Sequence, residues 1–115
     1  MDDKVIRQLL EQEAGPGEHL AVLSAVPLNG AIKVAVNQGR QILVARGWVT
    51  EISEVPGMQY VAVLFDDTSH WSEFRPDYPC LMLPPREGDL EELRAALTRW
   101  TEINERVTRA MRPKP

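Results

Sequence analysis

The chain is predicted to be an α+β domain: a short N-terminal helix, an antiparallel meander of four or five strands, and a long C-terminal amphipathic helix packed on the sheet. Three observations lead there. Apolar residues recur at helical spacing at both ends of the chain. Between them lie strand-length apolar runs separated by glycine-containing turns. The 115 residues, 43% hydrophobic and 26% charged, suit one core that needs neither disulfides nor metals. Residues 1–115 are accordingly read as a single domain, with 112–115 as a flexible tail because Pro113 and Pro115 cannot continue a helix.

The elements follow in order. Over residues 2–14, Val5, Ile6, Leu9, Leu10 and Ala14 form one stripe, and Asp2 is placed to cap it. Gly15-Pro16-Gly17 ends that helix. Residues 20–26 are an apolar run of strand length, and Asn29-Gly30 is a hairpin signal. Residues 31–37 put Ile32, Val34 and Val36 on one face, and Gln38-Gly39 offers another turn. Residues 41–52 are rich in β-branched side chains and contain Trp48, Pro56-Gly57 fits a type II turn, and residues 59–65 form the fourth strand.

A rival pattern exists in the middle. Ile32, Ala35, Val36, Gly39, Ile42, Leu43 and Arg46 also share one helical stripe, which would give α-β-α-β-β-α with a helix at 30–46. The meander is preferred, since Gly39 in mid-helix costs about 1 kcal/mol and the Val and Ile residues favour a sheet.

From Gly88 onward, Asp89 and Glu92 have the spacing of a capping box. Leu90, Leu93, Leu97, Trp100, Asn104, Val107 and Met111 then occupy alternating a and d positions over three heptads, with a polar Asn at one a position. The stripe serves either the protein's own sheet or a second copy. A helix of this length, roughly 33 Å, is longer than a four-stranded sheet is wide, so an overhang is expected.

The segment 65–85, FDDTSHWSEFRPDYPCLMLPP, concentrates unusual residues in a long loop, with residues 81–83 as a candidate fifth strand. Asp66, Asp67 and His70, with His19 as the other histidine, are the residue types of metal and acid–base sites. Their spacing matches no metal motif, and turn chemistry explains Asp66, Thr68 and Ser69 as well. Cys80 has apolar neighbours, which suits a packed thiol better than a nucleophile. No nucleophile elbow or phosphate-binding glycine loop is found, so neither a catalytic residue nor a cofactor is assigned. Trp71, Phe74, Arg75 and Tyr78 are the residue types of interface hot spots and are the candidate partner-binding set.

The net charge of −4 and pI near 5.2 argue against a general nucleic-acid binder. A localised version remains open, in which Lys33, Arg40, Arg46 and Trp48 on a sheet face act with the basic C-terminal tail. The start MDDKVIRQLL lacks the pattern of a signal peptide, and one cysteine forbids an intramolecular disulfide, so the expected compartment is the cytoplasm. The sequence therefore points to a small non-enzymatic interaction module of adaptor, accessory or inhibitor type that forms a homodimer. A nucleic-acid-associated regulator and a small metal- or ligand-binding enzyme built on Asp66, Asp67 and His70 are the alternatives.

Overall fold

The computed structural model describes residues 2–66 and 70–111. Two helices and six strands run in the order α1 (Asp3–Glu13), β1 (His19–Val22), a 3₁₀ turn (Leu23–Ala25), β2 (Ala31–Gln38), β3 (Gln41–Ser53), β4 (Tyr60–Phe65), β5 (Trp71–Phe74), β6 (Pro79–Met82) and α2 (Asp89–Met111). The class is α+β, as expected, with one antiparallel sheet of six strands in place of four or five. Residues 30–46 form β2 and β3, not the rival helix.

Strand order is β1-β6-β2-β3-β4-β5. Only β2 to β5 form the expected meander, and β6 lies between β1 and β2. The apolar run 20–26 is cut at Val22 because the chain there turns through the 3₁₀ helix. Asn29 takes a left-handed conformation (φ 69°), and the Gly30 amide closes a turn onto the Pro27 carbonyl. The turn signal at Asn29-Gly30 was therefore sound, but its flanking strands are not neighbours. The other two turns form where the sequence put them. Gly39 (φ 63°) is the first central residue of the two-residue β2–β3 hairpin. Gly57 (φ 82°) sits in a turn closed by the Met58 amide on the Val55 carbonyl.

The register sorts side chains onto two faces. On the outer face α1 places Ile6 and Leu10 against Ala35 and Leu81. Alongside it, α2 places Leu93 and Ala96 against Ala31, Trp48 and Leu64. The inner face carries Ile32, Val34, Val49, Val61, Val63 and Cys80, all almost fully buried although both helices lie on the other side. The sheet must curl over this face to bury it. Three features permit that. β3 is irregular between Val49 and Glu51, a device that bends strands. Gly47 lets β4 approach closely, since a Cβ there would lie 2.5 Å from the Leu64 carbonyl oxygen. The 3₁₀ turn is tied to the β5–β6 connection by Leu23 N–H to Tyr78 O (3.0 Å) and Ser24 N–H to Pro76 O (2.9 Å).

The helix α2 starts at Asp89 as expected, but the capping box does not form. Asp89 accepts from the Arg86 amide (2.8 Å) and from Arg46, and Glu92 also binds Arg46 (3.0 Å). The Glu92 amide bonds the Gly88 carbonyl instead (3.0 Å), and the Arg46 guanidinium holds both carboxylates through charge-assisted bonds. Beyond Trp100 the helix leaves the sheet, and residues 101–111 are all exposed. None of the described helices is long and apolar enough to cross a membrane.

Candidate functional site

One end of the sheet is open, and the cause is a mismatch of strand lengths. β3 pairs with β2 from Gln41 to Trp48, but β4 begins its pairing with β3 only at Gly47. Among the described residues, 41–45 therefore have a strand neighbour on one side alone. Beside that free edge is an open groove of about 1120 Å³. Leu43, Phe65 and Phe74 line it from the mouth of the curled sheet, and Val44, Trp100 and Ile103 line it from the outer face.

The groove is bordered by an ion cluster at the start of α2. Arg46, 19% exposed, bonds Asp66 (3.1 Å), Glu92 (3.0 Å) and Asp89 (3.0 Å). Its guanidinium carbon lies 5.1 Å from the centre of the Trp48 ring. Arg86 joins through Asp89 (3.5 Å) and Glu92 (3.7 Å). Arg99 adds a third guanidinium group, donating to the Asp66 carbonyl (3.3 Å), so the three carboxylates are matched in charge. The cluster clamps α2 to β3. Among the described residues, Arg46 Nε and Trp48 Nε1 are buried with no hydrogen-bond partner.

The candidate partner-binding residues are distributed between the two faces. Strand alternation in β5 sends Trp71 outward and Phe74 inward. Trp71 donates its indole N–H to Thr50 Oγ1 (3.1 Å) and lies 6.2 Å from the Trp100 ring. Phe74 meets Phe65 edge-on and Tyr78 at 4.9 Å. Tyr78 donates to the Ala35 carbonyl (2.6 Å), where β2 and β6 splay apart and leave that oxygen unpaired by the sheet. Desolvation pushes the Tyr78 hydroxyl above its ordinary pKa, against the pull of Arg75. Arg75 pairs with Asp3 of α1 and lies 5.6 Å over the Tyr78 ring, and the Asp3 bond raises its pKa. Each residue of the set thus carries an internal contact, while Trp71, Phe74 and Tyr78 also border the groove.

The residues considered for chemistry are dispersed. Asp66 is engaged by Arg46, and Asp67 lies outside the described residues. The exposed His70 ring stacks on Phe65 at 6.2 Å, with Nε2 2.9 Å from Ser72 Oγ. His19 starts β1 at one sheet edge, with β6, β2 and β3 between it and β4. Among the described residues, no three His, Cys, Asp or Glu side chains are grouped to hold a metal. Cys80 is fully buried, and burial pushes its thiol up to about 12, which suppresses the thiolate a nucleophile needs. The base-stacking role considered for Trp48 is closed off, because Trp48 is fully buried beneath α2. Lys33 is engaged by Glu18 (2.9 Å).

Sequence reasoning missed the free edge. A signal was present: the run 41–52 is about twice as long as the run 59–65 that pairs with it. No protein-family model matches the chain, and no curated protein matches it.

Proposed function

We propose that the protein is a non-enzymatic interaction module that acts as a homodimer. The observation that carries this reading is the unpartnered C-terminal half of α2. Ile103, Val107 and Met111 are 48%, 51% and 79% exposed, on turns beyond Trp100 where every described residue is exposed. Apolar side chains at helical spacing are ordinarily found against something. Here the sheet ends first.

Two whole-chain quantities agree. The radius of gyration is 15.4 Å, against about 13.3 Å for a compact chain of this length. The accessible surface is 7827 Å², against roughly 6,300 Å² for a compact monomer of this mass. The excess, roughly 1,500 Å², is more than the roughly 800 Å² that a standard interface takes from each partner. A single buried thiol is compatible with the reducing cytoplasm, which we assign as the compartment.

Light scattering coupled to size exclusion tests the reading directly. At about 100 μM the expected mass is twice 13.0 kDa. A monomer mass at that concentration refutes it.

A further inference from the structure

We propose that two copies pair through the whole length of α2, antiparallel about a two-fold axis level with Trp100 and Thr101, so that the projecting half of each helix lies on the sheet of the other copy. This rests on the homodimer reading and names the surface that forms it.

The direction of the apolar side chains comes first. Leu93, Ala96 and Trp100 rest on the protein's own sheet. Ile103, Val107 and Met111 continue the row at helical spacing, so they point the same way from turns where every described residue is exposed. What covers them must therefore lie in the layer of the sheet, beyond its end. Trp100 is the middle residue of α2, so the covered and projecting halves are equal in length, about 17 Å each. An antiparallel partner sets each projecting half beside the covered half of the other helix, within reach of that copy's sheet. A parallel partner would set the two projecting halves side by side and leave both rows bare.

One flank of α2 is free for this. Arg46 and Asp66 approach the helix from the other flank, at Glu92 and Arg99. Leu90, Leu97 and Asn104, all exposed, run along the free flank. They are a positions of the heptad pattern, while Leu93 and Trp100 at d positions are occupied by the protein's own sheet. Beside Leu90 is a second open groove, of about 730 Å³ and mostly apolar, lined by Val26, Leu28 and Leu83 as well. In the antiparallel register Met111 of the second copy stands level with Leu90 and enters this groove. Leu28, Leu90 and Met111, each more than half exposed in one copy, then cover one another.

Charge selects a second copy as the occupant. The same register brings Arg94 beside Glu105 of the second copy and Glu91 beside its Arg109, and the two-fold axis repeats both pairs. All four side chains are exposed and without an ion-pair partner among the described residues. Arg86, which also borders the groove, is already tied to Asp89 and Glu92. On the sheet, β3 and β4 pass beneath α2 at Trp48 and Leu64 and emerge on its free flank. There Glu51, Ala62 and Glu73 form one row across three strands, with both acids exposed. The projecting half that lies over this row carries Arg106 at the border of the Ile103–Val107 stripe, whereas Glu102 falls on the solvent side.

Charge reversal is the direct test. Arg94→Glu and Glu105→Arg each put like charges opposite one another twice, and each should raise the dissociation constant of the dimer about tenfold or more. The double variant restores both pairs and should return to within about threefold of the natural protein. The two positions are roughly 16 Å apart on one helix, so rescue cannot arise within a chain. Both residues are exposed, and the variants should melt within a few degrees of the natural protein. Sedimentation equilibrium reads the dissociation constants. Single variants that dimerise normally, or a double variant that is not rescued, overturn the α2 surface and leave the homodimer reading standing. A natural protein that is itself monomeric overturns both and leaves the stripe to a different protein.

Cross-linking tests the orientation. With a short bis-maleimide reagent, the double variant Leu90→Cys/Met111→Cys should give a covalent dimer, because the two sites meet between copies although they are about 32 Å apart on one helix. Met111→Cys alone should not, since the two residues 111 lie at opposite ends of the pair. A cross-link through Met111→Cys alone overturns the antiparallel arrangement. Cys80 does not compete, since it is fully buried.

Discussion

Glu18 shows how one residue outside any regular element can hold the fold. Its side chain is 13% exposed, and it accepts from the Gly15 amide (2.9 Å) and from Lys33 Nζ (2.9 and 3.0 Å). The loop after α1 is thereby fastened to β2. Desolvation works against the charged form, but the amide and the ammonium together hold the carboxyl below its ordinary value. A carboxyl depressed on folding adds stability above its unfolded pKa, and that stability is lost as pH falls through the folded value. Glu18→Gln should therefore lower the melting temperature by a few degrees at pH 7, corresponding to about 1 kcal/mol. The gap to the natural protein should narrow as pH falls through the lowered folded value, where the natural carboxyl becomes neutral too. A gap that stays constant from pH 7 to pH 3 removes the ion pair as its cause. Nothing in the sequence announced this pair, because Glu18 and Lys33 are 15 positions apart and meet only through the sheet.

At the scale of elements, α2 divides into two halves with different roles. Leu93 and Ala96 are nearly fully buried on the sheet, whereas Val107 is 51% exposed beyond it. Leu93→Ala should cost about 2–4 kcal/mol of unfolding free energy. Val107→Ala should change it by less than about 0.5 kcal/mol. Both are read from urea denaturation at a concentration low enough to dissociate any dimer. Equal losses at the two positions would mean that α2 does not leave the sheet. The stripe and its overhang were legible in the sequence, because the 3.6-residue period needs no tertiary information. The boundary between the halves was not, since it depends on where β4 and β5 end. Strand β5 was hidden for a similar reason, and β6 was visible only in part, as the candidate strand at 81–83. Each has four residues, β5 contains Ser72 and Glu73, and β6 begins with Pro79. Such segments are strands only because neighbours complete their ladders.

At the scale of the molecule, the proposed homodimer would couple stability to concentration. If folding and pairing are linked, unfolding of the dimer is a second-order balance and Tm rises with protein. Over a hundredfold increase in concentration the shift should be about 5 °C. A Tm independent of concentration from about 1 to 100 μM argues that the folded chain gains nothing from a second copy.

What the sequence determined by itself was local. Helical periods placed α1 and α2, alternation and β-branching selected strands over a helix at 30–46, and Gly39 and Gly57 sat in the turns that their freedom of φ permits. Those signals arise within a few residues and are therefore visible in the linear chain. Only the tertiary structure decided that β6 enters between β1 and β2, that the sheet curls over its own core, and that Arg46 draws Asp66, Asp89 and Glu92 together. It also decided that β3 outruns β4, so that 41–45 have no strand on that side among the described residues. These outcomes depend on which distant segments satisfy one another's backbone groups and buried charge. Many such pairings share one local pattern, and only the balance over the whole chain selects among them.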